Sequence, residues 1–165
     1  MAMVSGLGTT VLVTPQPGTW RLRASAPGFW SPEVRVETPA REPVRLTLWP
    51  AAPGKGVLQF PEGADPSDEV RLIMNRVSDS PEGALESAEV RCPLIDSRIE
   101  SCSLPVGKWH LRIKVAKYIP QYRWGLELEE GKPVDLGKII LKQGTSLFGQ
   151  VVTSDGSALS PRQPR

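Results

Sequence analysis

Pro17-Gly18-Thr19-Trp20-Arg21-Leu22-Arg23 returns 89 residues later as Val106-Gly107-Lys108-Trp109-His110-Leu111-Arg112. Each copy is a glycine turn running into a stretch of alternating apolar and polar residues. Strict alternation puts every second side chain on one face, the pattern of a half-buried antiparallel strand. In the second copy Trp109, Leu111, Ile113 and Val115 take one face and Lys108, His110, Arg112 and Lys114 the other. A period of this length in a chain of 165 residues predicts a tandem of small β-domains, each near the size at which one core suffices.

The same phasing extends outward from the repeat. Eight residues separate each tryptophan from an aromatic residue, Phe29 in one copy and Tyr118 in the other. Further alternating runs follow at 33–37 and 122–128, with turns at 39–43 and 129–133 and closing strands at 44–48 and 136–141. Glycine-bearing linkers are expected at 51–55 and 142–145, and a fresh apolar run opens after each, Gly56-Val57-Leu58 and Leu147 to Val152. Residues 1–52 therefore read as the back part of one unit, 55–142 as a complete sandwich, and 144–165 as the first strand and turn of a third. The tail Pro161 to Arg165 has no pattern and reads as a mobile end. A sandwich missing half its strands leaves sheet edges open, so the chain reads as part of a longer array.

Composition agrees with many strands and many turns: 17 Pro and 15 Gly, with no convincing helical segment. The balance of 20 basic and 18 acidic residues gives no argument for nucleic acid. No apolar run is long enough to span a membrane, and residues 1–14 lack the basic start of a signal peptide.

These residues resemble the carboxypeptidase regulatory-like domains, small transthyretin-like sandwiches grouped with the starch-binding-like fold. Gly149-Gln150-Val151-Val152 with the turn Ser154-Asp155-Gly156-Ser157 is similar to the opening of such domains. Leu104-Pro105-Val106-Gly107-Lys108-Trp109 is similar to their turn before an aromatic strand, and Leu136-Gly137-Lys138-Ile139-Ile140-Leu141 to their closing strand. Gly28-Phe29 fits their Gly-aromatic pair, from which Lys117-Tyr118 departs. Residues 56–91 match poorly. Pro81-Glu82-Gly83-Ala84 spells a weaker similarity to the PEGA repeats. The resemblance implies an accessory domain, non-enzymatic, of a secreted or cell-surface protein of bacterial type, placed outside the cell or in the periplasm.

Chemistry-bearing residues are few. His110 is the lone histidine and Arg21 stands in its place in the first copy, so it reads as a solvated side chain. No hydrolase, phosphate-loop or zinc spacing occurs, and no catalytic residue, metal site or cofactor is expected. The single asparagine, Asn75, falls in a middle strand and the closing strand 136–141 has none, which argues against a self-forming Lys–Asn isopeptide bond. Glu62, Asp65, Asp68 and Glu69 have no calcium-loop spacing and read as a solvated acidic loop. Cys92 and Cys102 are either a disulfide, which would suit an oxidising compartment, or two separate buried thiols. Of the five tryptophans, Trp20, Trp109 and Trp124 are expected as core anchors with Leu111. Trp30 and Trp49 sit at a turn and a strand end, and are the candidates for stacking on a carbohydrate or for packing between domains of the same chain. The basic face of Arg21, Arg23, His110, Arg112 and Lys114 reads as an ordinary wetted sheet face. The resulting expectation is a non-catalytic structural or interaction module; a carbohydrate-binding module and an accessory fragment of a larger enzyme are the alternatives.

Overall fold

The computed structural model describes residues 16–24, 26–77, 85–145 and 147–157. The Pro81-Glu82-Gly83-Ala84 stretch and the Pro161 to Arg165 tail lie outside these residues. The described chain is all-β, with ten strands in the order β1 (Gly18–Leu22), β2 (Phe29–Trp30), β3 (Val34–Thr38), β4 (Trp49–Gln59), β5 (Glu69–Arg76), β6 (Ser87–Pro93), β7 (Arg98–Pro105), β8 (Gly107–Lys114), β9 (Gln121–Leu128) and β10 (Val134–Ile140). None of its helices is long and apolar enough to cross a membrane, since it has none among the described residues.

Strands β4 to β10 form a sandwich. One sheet runs β6-β5-β8-β9, all antiparallel. The other is built on β4, which pairs antiparallel with β7 and parallel with β10. The β4–β10 pair is a departure from a purely antiparallel sandwich. Period-2 alternation fills the space between the sheets: Val70, Leu72 and Met74 from β5, Ala88, Val90 and Cys92 from β6, and Trp109, Leu111 and Ile113 from β8 face Leu58, Ile99, Leu104, Leu136 and Ile139. A bulge between Asp135 and Lys138 turns both Leu136 and Ile139 inward, which is why the Leu-Gly-x-Ile spacing serves as a closing strand. Cys92 and Cys102 are bonded as a disulfide with their Cα atoms 5.6 Å apart, so the bridge joins β6 of one sheet to β7 of the other inside the core.

The expected linker at 51–55 is instead strand. β4 runs without interruption from Trp49 to Gln59, and β2 of the first unit pairs with its opening residues, Phe29 against Pro50 and Trp30 against Trp49. The boundary drawn between 52 and 55 therefore falls inside one strand. Ala51 and Ala52 are buried with the sandwich core, so this stretch belongs to the core and not to a linker. The stretch 44–48, expected as the first unit's closing strand, has no strand partner, and β1 and β3 form a two-stranded sheet of their own.

The 89-residue repeat is visible atom by atom. The Trp20 indole N–H donates to the Gln16 carbonyl at 3.3 Å, and the Trp109 indole N–H to the Pro105 carbonyl at 2.9 Å. The turns that follow also match: the Phe29 N–H donates to the Ala26 carbonyl and the Tyr118 N–H to the Val115 carbonyl, both at 3.1 Å. Gly28 has φ 77° and Lys117, its counterpart, φ 72°. Lysine thus holds the left-handed conformation that glycine holds in the first copy, a position favouring residues without a Cβ. The carbonyls of these two residues accept from the start of the following segment, Gly28 from Ala51 at 2.9 Å and Lys117 from Gly144 at 3.3 Å. Beyond Gly144, Leu147 and Phe148 are 97% and 90% exposed.

Candidate functional site

Alternation along β9 places Trp124 on one face with Leu126 and Leu128 if the strand is regular. It is not regular. Trp109 pairs with Leu126 and Leu111 pairs with Arg123, so the single residue His110 stands opposite two, Trp124 and Gly125. The extra residue is a β-bulge, and one extra residue exchanges the two faces of everything beyond it. Gly125 takes φ 63° there, and its N–H donates to His110 Nδ1 at 3.1 Å. As a result Leu128 points into the core while Trp124 is 71% exposed on the outer face. Trp124 is thus not a core anchor.

Its neighbours on that face are ordered. Tyr122 lies parallel to Trp124, with 5° between the ring planes and 5.6 Å between centroids. The His110 ring meets Trp124 edge-on at 5.0 Å. A Nδ1 that accepts a hydrogen bond leaves Nε2 as the donor, so the imidazole offers an N–H to the surface. His110 is half-buried and fastens the bulge, a different role from a free solvated side chain. Beside this aromatic lane runs a polar one. Arg112 is the cross-strand partner of Tyr122 on one side and of Ile73 on the other, and Asn75 is the partner of His110. The Arg112 Nε–H is buried and has no hydrogen-bond partner among the described residues.

The chain matches no family model, no curated protein and no solved structure. The site therefore has to be read from its own geometry.

Of the other tryptophans, Trp20 departs from the sequence reading, while Trp30 and Trp49 take the packing alternative over the stacking one. Trp30 is only 6% exposed and packs in the sandwich core, because β2 joins β4 and carries it there. Trp49, its cross-strand partner, is half-buried and packs against the same core. Neither presents a free ring face. Trp20 is half-buried and lies outside the main core cluster, since β1 pairs only with β3. Trp109 is completely buried, with the Arg76 guanidinium 5.1 Å from its ring centroid, and Leu111 is buried beside it.

Among the described residues no three His, Cys, Asp or Glu side chains come together as metal ligands. Among the described residues, Asp155 is the one carboxyl group displaced in its titration. The Thr153 hydroxyl, and then the Ser157 backbone N–H, hold it from an ordinary 3.8 to about 2, in the exposed turn 153–157. Asn75 is exposed on β5 and faces His110 across the ladder.

The signal that locates Trp124 was present in the sequence. An isolated glycine inside an alternating strand marks a bulge. Reading Gly125 that way turns Trp124 outward.

Proposed function

We propose that the chain is a non-catalytic structural and interaction module, a β-sandwich unit with part of its neighbours, belonging to a longer secreted or cell-surface protein. One observation carries this reading: the repeated turns at Gly28 and Lys117 each anchor the segment that leads into the next unit, through the Ala51 and Gly144 amides. Units joined by hydrogen-bonded strand are suited to hold other parts apart at a fixed spacing, where a free linker would let them wander. The motif resemblance to carboxypeptidase regulatory-like domains supports the same role. The Cys92–Cys102 disulfide supports an oxidising compartment, outside the cell or in the periplasm. Spin labels at Glu37 and Lys138, with the native disulfide intact, test the spacer role. A single narrow distance distribution is expected; a broad one means a flexible joint and overturns it.

A second reading, a carbohydrate-binding module, is favoured by the exposed Trp124 lying parallel to Tyr122. Flat aromatic faces with convergent polar groups suit sugar rings. Trp30 and Trp49, buried and half-buried, are not its carriers. Movement of the Trp124 indole N–H resonance on adding oligosaccharides tests this reading, and its absence across neutral and acidic sugars sinks it.

A further inference from the structure

We infer that the outer face of β8 and β9 is a binding site for an acidic saccharide, a uronate-bearing glycan, seated on Trp124 and Tyr122 and held at its carboxylate by Arg112. The inference rests on the carbohydrate reading above and adds the ligand's charge and the residue that reads it.

The bulge at Trp124–Gly125 sets an aromatic lane beside a basic lane. Trp124 and Tyr122 follow each other at every second residue of β9, about 7 Å apart along the strand. Next to them on β8 stand His110, Arg112 and Lys114, and on β5 stand Asn75, Ile73 and Arg71. Most charges on this face already have partners. Arg71 and Arg91 share Glu89 at 2.5 and 3.8 Å, and Lys108 lies 3.7 Å from Glu127. Arg112 and Lys114 have no ion pair among the described residues. The unused cations therefore lie along the aromatic pair, and Arg112 is the cross-strand partner of Tyr122.

Arg112 Nε is a buried donor without an acceptor. That nitrogen is closed to an incoming ligand, but Arg112 is only half-buried, and its terminal N–H groups are the donors that a carboxylate can meet. The His110 Nε2–H and the Asn75 amide supply neutral partners of the kind that hydroxyl groups use. Single-stranded nucleic acid also stacks on aromatic rings, but it brings a phosphate with every nucleotide and is tracked by a continuous positive groove. Here Glu69, Glu89 and Glu127 interrupt the same face, and among its described residues only Arg112 and Lys114 are cations without an ion pair. Charge complementarity thus favours a ligand with isolated carboxylates and C–H-rich ring faces.

The test follows the Trp124 indole resonance while the whole chain is titrated with tetramers of galacturonic and mannuronic acid, with their uncharged methyl esters, and with oligothymidylate. At least one acidic tetramer is expected to bind, its methyl ester at least about fivefold more weakly. Trp124→Ala, titrated by calorimetry because it lacks the indole probe, is expected to weaken binding about tenfold, the scale of one lost aromatic contact. Arg112→Gln is expected to keep ester binding and erase the preference for acid. Equal binding of acid and ester overturns the charge assignment and leaves the carbohydrate reading standing. No binding of any sugar overturns both. Oligothymidylate binding as tight as the acidic tetramer overturns the inference in favour of nucleic acid.

Discussion

Trp109 and Trp124 sit on neighbouring strands of one sheet, and the faces they occupy are opposite. Trp109 is completely buried, with its indole N–H satisfied by the Pro105 carbonyl. Trp109→Ala removes a large ring from a closed core and strands that carbonyl, so a loss of about 3–5 kcal/mol in unfolding free energy is expected by urea titration. Trp124→Ala removes a ring that is mostly in water, and a change within about 0.5 kcal/mol is expected in the same titration. Equal losses in the two variants would mean that the bulge is absent. Alternation alone placed Trp109 and Leu111 correctly because β8 is regular. It misplaced Trp124 because β9 carries an extra residue, and a two-residue period has no means of registering an insertion except through the glycine that accommodates it. Trp30 stayed open between stacking and packing for another reason: a two-residue strand leaves too short a pattern to read, and its burial comes from pairing with β4.

At the scale of elements, the sandwich is held by pairing within each sheet and by the bridge between them. Cys92 and Cys102 close a short loop, 10 residues apart, and link β6 to β7 across the core. Loop-closure entropy for that length gives about 2.5–3 kcal/mol of stabilisation, so reductant is expected to lower the unfolding free energy by that amount and move the urea midpoint down with it. An unchanged midpoint would mean that the two thiols are not bridged. The strands from 109 to 141 were legible as elements, and alternation named the inward residues of β8; the bulges in β9 and β10 break it further on. Residues 56–91 match the resembled family poorly, yet they supply β5 and most of β6, which have the most regular inward pattern of the sheet. Turn 153–157 offers a separate prediction. With Asp155 held near 2, the carboxylate's contribution to the turn is present above 3.8 and is lost as pH falls through about 2. The Ser157 amide resonance is expected to titrate with a midpoint near 2. Thr153→Ala removes the largest cause of the shift, and the midpoint is expected to rise toward 3.8.

Across the whole molecule, the repeat was readable as a period but its joints were not. Sequence spacing marks where one unit's pattern yields to the next; it does not reveal that the yielding residues are themselves paired. Ala51 to Lys55 have the proline and glycine of a linker, and they form part of β4. The parallel pairing of β4 with β10 then has a consequence for load. A parallel pair at the beginning and end of a unit puts its entry and exit at opposite ends of the ladder. Tension along a chain of such units would pull these two strands past each other, loading their evenly spaced hydrogen bonds together instead of opening them one at a time. Single-molecule pulling from residues 49 and 141 is expected to give one abrupt rupture. A gradual extension at low force would mean that the ladder peels. In a longer array, the strand that joins two units would then be the line along which force is carried.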